Sequence, residues 1–171
     1  RTGSRASCFY QVKFYDNIYV RQRGGYTSWG SQKFNFNRGD GLYVDATLGT
    51  VGEVNLNSAG SDSTYLRPLL AFEAWRRCGH EASSAHLVAM FRNGSYQRMS
   101  SMIEQVDEDL LDRYGLDPEG ALYKFVQRIG ETPNGNDYSN SPALGDTLYG
   151  VEKKTRLHEN LSDLNAFVAG I

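Results

Sequence analysis

Ser101–Lys124 reads SMIEQVDEDLLDRYGLDPEGALYK. Met102 and Ile103 continue an apolar, strand-like run into Glu104-Gln105-Val106-Asp107, and an acidic amphipathic turn of helix follows directly. Gly115-Leu116-Asp117-Pro118-Glu119-Gly120 then breaks the chain before a short strand ending in Lys124. The residue pattern alone gives a surface strand–helix–strand unit. A sheet strand passing through a short linker into a helix makes the fold a mixed one, and the flanking sequence says which kind.

Working outward, Tyr96–Val106 and Ala85–Phe91 flank Asn93-Gly94, the strongest short hairpin signal in the chain. Upstream, residues 64–78 carry Leu66, Leu69, Leu70, Phe72 and Trp75. They predict one long, largely buried helix, started by Asp62, Ser63 or Thr64, bent or begun at Pro68, and closed by Gly79. Near the start, residues 8–23 alternate polar and apolar side chains around Asp16-Asn17, which predicts a β-hairpin turning at that pair. A glycine-rich loop, Arg23–Ser31, leads into the alternating Lys33-Phe34-Asn35-Phe36-Asn37. Val51–Leu56 reads as a strand, 107–114 as a short helix, Ala121–Gln127 as a strand, residues 130–150 as a long loop, and a helix starts near Ser162. The expected fold is α+β: a mostly antiparallel sheet built from hairpins 8–23 and 85–106, with helix 64–78 packed on it.

Composition sets the outer limits. The 171 residues make one domain or part of one, and 40% apolar residues with 11 tyrosines and 8 phenylalanines suit a strand-rich core. A net charge of −2 gives no electrostatic case for nucleic acid. No apolar run approaches the ~20 residues a membrane helix needs. Cys8 and Cys78 allow one disulfide. Asn93-Gly94-Ser95 and Asn160-Leu161-Ser162 match the glycosylation sequon, the first being better read as a turn. His80, His86 and His158 are isolated, so a zinc site is not expected. Asp107-Glu108-Asp109 lacks the spacing of a calcium loop.

Three places carry candidate chemistry. In Arg23-Gly24-Gly25, the glycines would let backbone N–H groups approach a phosphate, and Lys33 on the exit strand would add a point charge. A flexible loop followed by a surface lysine explains the same residues. Glu73 falls on the apolar face of helix 64–78, where a carboxylate needs a cation. Lys33 is one partner for it, and Arg76 or Arg77 are others. Asp107 sits where it can cap the helix that follows.

The same stretches resemble the CotH family of spore-coat protein kinases, whose members carry an E-Q-V-D-x-x-F-L segment followed by G-x-L-Y-K. Here these are Glu104-Gln105-Val106-Asp107 and Leu122-Tyr123-Lys124. The family's R-G-x-S-S segment and lysine strand are matched loosely by Arg23-Gly24-Gly25 and Lys33-Phe34-Asn35-Phe36, with Tyr26-Thr27-Ser28 in place of the tight Asn-Ser-Ser. The likeness runs from about Ile18 to the end and is most specific over Asp62–Lys124.

The resemblance implies a kinase-like N-lobe and linker within a single partial domain, 1–171, with the catalytic Asp and the metal-holding Asn and Asp expected after Ile171. It implies ATP with Mg2+ or Mn2+, a protein substrate rich in Ser and Thr, and a place at the cell surface, in secretion or in a spore coat. The nucleotide contacts it implies are Arg23, Gly24, Gly25, Lys33, Glu73, Glu104 and Val106 through their main chain, Asp107 at the ribose, and Lys124. On this reading the fragment alone is inactive. A non-catalytic structural or adhesion module of the same fold is the alternative.

Overall fold

The structure is a computed structural model, and it describes residues 2–23, 30–58, 62–125 and 151–170. The expected loop at 130–150, and Gly24 and Gly25, lie outside the described residues. The chain gathers into two compact units, Arg1–Tyr114 and Gly115–Ile171.

The first unit is built on a six-stranded sheet of order β1-β2-β3-β6-β8-β7, every neighbouring pair antiparallel. Its strands are β1 (Gly3–Tyr10), β2 (Lys13–Gln22), β3 (Gln32–Asn35), β6 (Glu53–Asn57), β7 (Ala85–Arg92) and β8 (Ser95–Glu104). A two-strand ribbon, β4 (Leu42–Tyr43) with β5 (Thr50–Val51), lies between β3 and β6 in the chain. Both expected hairpins are present, joined through β3 and β6. The edge strands β1 and β7 line one groove of about 970 Å3, so the sheet curls. Tyr15, Ile18, Leu42, Val44, Val51, Val54 and Met102 form the core, with Phe34, Leu56 and Val88 packed against it.

The turns divide between expectation and correction. Asn93 and Gly94 both take positive φ, 50° and 79°, as a two-residue hairpin turn needs. The first hairpin does not turn at Asp16-Asn17. It turns at Gln11-Val12, between the paired Tyr10 and Lys13, with Gln11 at φ 52°. Asp16 and Asn17 instead form a bulge inside β2, where pairing jumps from Ala6↔Ile18 to Cys8↔Tyr15. Asp16 Oδ1 accepts from Ser7 Oγ and Asn17 N, which satisfies the bulge locally.

Helix α1 (Arg67–Arg77) departs most from expectation. It is 11 residues long and none of them is buried. Leu70 is 64% exposed and Trp75 56% exposed. Arg67, Glu73, Arg76 and Arg77 interrupt the apolar face too often for a fully covered helix, and Trp75 packs on His80 instead, ring centres 4.7 Å apart. The ends follow the sequence. Asp62 Oδ2 accepts the Arg67 N–H, Pro68 occupies the first turn, and Gly79 at φ 84° closes the helix. There His80 N donates to Trp75 O and Gly79 N to Arg76 O.

Helix α2 (Glu108–Arg113) ends the first unit and buries Leu110 and Leu111. The second unit holds β9 (Tyr123–Phe125) paired with β10 (Val151–Lys153), and α3 (Ser162–Ala169). Lys153 is its buried cation, donating to Glu159, to Asp163 and to the Asn160 carbonyl. Cys8 and Cys78 are both free thiols, Cys78 exposed, so the allowed disulfide is not formed. No described helix is long and apolar enough to cross a membrane.

Candidate nucleotide site

Strand alternation puts apolar Phe34, Val54 and Leu56 toward the core and leaves Lys33, Asn35, Glu53, Asn55 and Asn57 on the opposite face. Register brings the second set together. Lys33 on β3 stands opposite Asn55 on β6, and Asn55 stands opposite Ile103 on β8. The lysine is therefore two strands from the residue that precedes Glu104-Gln105-Val106-Asp107. Asn55 Nδ2 donates to Gln105 Oε1 at 2.8 Å, tying the central sheet to that linker.

Lys33 is only 9% exposed, so it is no loose surface lysine. Its ammonium pairs with Glu53 Oε2, while Glu53 Oε1 accepts from Asn35 Nδ2. Asn35 and Glu53 are directly opposite in the β3–β6 register. The Oδ1 atoms of Asn35 and Asn55 are buried and accept no hydrogen bond. Buried acceptors are normally satisfied, so two orphans beside a buried cation mark a face with unused hydrogen-bonding capacity.

The glycine-rich loop is closed at its base by Arg23 N donating to Ser31 O at 3.0 Å. The Arg23 guanidinium donates to Asn57 Oδ1. Ser31 Oγ accepts from Ser58 N, joining the loop's exit to the end of β6. Gly30 takes φ 81°, and its carbonyl accepts from Arg98 Nη2 at 2.5 Å.

In the linker, Asp107 Oδ1 accepts the Asp109 N–H and caps α2, as the sequence expects. Its carboxyl is pushed up to about 7, first by burial and then by the negative charges of Asp109, Glu108 and Glu53. Burial also raises Asp109, against the opposing hydrogen bond it accepts from Gly52. Glu104 is spoken for: Arg113 grips it through Nε to Oε1 at 2.9 Å and Nη2 to Oε2 at 2.6 Å, and Ser84 N donates to Oε2. The Glu104 N–H donates to Ser84 O. Of its main chain, the N–H is thus committed within the fold. Val106 is 39% exposed.

The expected Lys33–Glu73 pair does not form. Glu73 Oε2 is held by Arg76 at 2.8 Å and Oε1 by Arg77 at 2.7 Å, along the surface of α1. Helix spacings of three and four residues put those arginines within reach, whereas Lys33 has a carboxylate on the adjoining strand. Lys124 stands on β9 of the second unit, opposite Glu152. The sequence reading gives no site role to Asn35, Glu53, Asn55 or Gln105. Their signal was there, in the alternation Lys33-x-Asn35 and Glu53-x-Asn55-x-Asn57, which leaves one polar face on two strands.

Among the described residues, no three His, Cys, Asp or Glu gather as a metal centre. The arrangement can do something simpler. A cation anchored on a rigid sheet, beside the exit of a glycine-rich loop and two strands from the strand that enters the linker, can hold an anionic group in a fixed place. No curated protein matches the chain. The family model described as CotH kinase protein matches residues 20–171. That is most of the sequence, and it includes the lysine strand, the linker and the second unit; the chain belongs to the CotH kinase protein family.

Proposed function

We propose that this chain is the nucleotide-binding portion of a CotH-like protein kinase that transfers phosphate from ATP to Ser or Thr of a surface or coat protein. The observation that carries the reading is Lys33, nearly buried on β3 beside the exit of the glycine-rich loop. In phosphoryl transfer such a lysine supports the nucleotide phosphates, and positioning supplies most of the catalysis.

ATP would enter with Mg2+ or Mn2+, which neutralises developing charge on the phosphates. Its ligands, in the family's pattern, are an Asp and an Asn of the catalytic region, outside the sheet described here. Lys33 would hold phosphate oxygens, Arg23 and the loop would border them, and the Gln105–Asp107 segment would border the base and ribose. On this reading these 171 residues bind nucleotide without transferring phosphate.

Equilibrium binding of Mg-ATP and adenosine, together with a transfer assay on a Ser-rich protein, tests the proposal. Wild type should bind both ligands, Lys33→Met should lose ATP affinity, and transfer should stay at background. A wild-type chain that binds neither ligand would leave the structural or adhesion module as the better reading. Turnover by this chain would refute its assignment as the binding portion only.

A further inference from the structure

We infer that Glu53 is the positioning residue that holds Lys33 ready for a phosphate, with Asn35 fixing Glu53 in turn; the inference rests on the nucleotide-binding reading above. Three observations carry it. Both carboxylate oxygens of Glu53 are engaged from one neighbouring strand, Oε2 by Lys33 and Oε1 by Asn35. The register places Asn35 directly opposite Glu53, with Lys33 two residues earlier on the same face. Glu73, the helix carboxylate, has both its oxygens engaged by Arg76 and Arg77.

The chemistry follows from donor counting. An ammonium has three donors. Glu53 is the one described partner of Lys33, so two donors remain for phosphate oxygens. Lysine has a flexible four-carbon stem, and its head is strongly hydrated. Without a fixed carboxylate, the stem would be free to turn toward water and the phosphate would find no ordered cation. A carboxylate borne on a central strand is placed more rigidly than one on a surface helix.

The test uses the 171-residue chain with Mg-ATP and with adenosine as separate probes. Lys33→Met, Glu53→Gln, Glu53→Asp and Glu73→Gln are compared with wild type. Glu53→Gln should lose about tenfold in ATP affinity, ~1.4 kcal/mol, and keep its adenosine affinity. Glu53→Asp should fall between Glu53→Gln and wild type, and Glu73→Gln should match wild type. If Lys33→Met loses ATP while Glu53→Gln binds it as well as wild type or better, Glu53 does not position the lysine and the nucleotide reading stands. If wild type binds neither probe, that reading falls and this inference with it. Should Glu53→Gln lose adenosine too, the fold has been damaged and Glu53→Asp decides: a loss confined to ATP supports the role, and equal losses for both probes overturn it.

Discussion

Arg113 of α2 clamps Glu104 at the end of β8 with two parallel hydrogen bonds, 2.9 and 2.6 Å long. Glu104 is 5% exposed, and the same guanidinium also donates to the Ala82 carbonyl. One arginine therefore fixes the strand, the 82–84 segment and the first helix after the linker. The direction in which the chain leaves the sheet is set by this pair.

Removing one member of a buried pair leaves the other charge uncompensated, at a cost of about 3–5 kcal/mol. Arg113→Ala should show a loss of that size in urea unfolding. Glu104→Gln should lose less, because the amide oxygen can still accept from Ser84 N. Equal and small losses for both would mean that the pair contributes little to the fold.

Asp107 gives a pH dependence with a definite sign. Its carboxyl is raised to about 7 in the folded chain, so the folded state binds this proton more tightly than the unfolded state. The associated stability is full below the ordinary carboxylate range and is lost as pH rises toward 7. Asp16, Asp45, Asp62 and Asp163 are all held below their usual values and titrate in more acid solution, whereas burial raises Asp109 as it raises Asp107, so these two neighbours share the window from the ordinary carboxylate range up to about pH 7. The melting temperature should fall across that window. Asp107→Asn, which still caps a helix, should flatten the fall. An unchanged slope in the variant would remove Asp107 as its cause.

Gly30 closes the glycine-rich loop in a left-handed conformation, φ 81°. A methyl group there would also run into the Arg98 guanidinium. Gly30→Ala should cost about 1–2 kcal/mol from the backbone term alone. It should also weaken Mg-ATP more than adenosine, since Gly30 lies on the phosphate side of the proposed site. Wild-type stability in this variant would show that the turn is not held in that conformation.

Local chemistry was legible in the sequence, and pairing between distant residues was not. Asn93-Gly94, Gly79 and Asp107 each act through their own backbone or that of residues close by, and each stands where the pattern put it. Asp16-Asn17 has turn chemistry too, yet the strand continues through it, because a bulge satisfies the same side chains. The apolar residues of 64–78 predict burial that the structure does not show, since leucines and a tryptophan define a buried face only if something covers it. The loop points to Lys33, and the sequence offers Glu73 either Lys33 or Arg76 and Arg77 as partner; the structure has the arginines on Glu73 and Glu53 on Lys33. The partner is decided by the β3–β6 register, a relation between residues 20 apart that no local pattern reports.

That register also makes the Lys33–Glu53 pair measurable apart from any ligand. The lysine is nearly buried, whereas the Glu53 side chain is 32% exposed and can reach water when its partner is lost. Lys33→Met keeps most of the stem and leaves Glu53 bonded to Asn35, so it should be mild, within about 1 kcal/mol. Glu53→Gln strands the ammonium between the Asn35 and Asn55 amides and should cost more. Residues in direct contact couple by about 0.5–3 kcal/mol in a double-mutant cycle. The double variant Lys33→Met/Glu53→Gln should therefore be more stable than the sum of the single losses implies. Its unfolding free energy, set against those of the two single variants and wild type under the same denaturant, gives the coupling. Strict additivity would show that the two side chains do not depend on each other in solution, and the positioning role assigned to Glu53 would fail without any nucleotide being added.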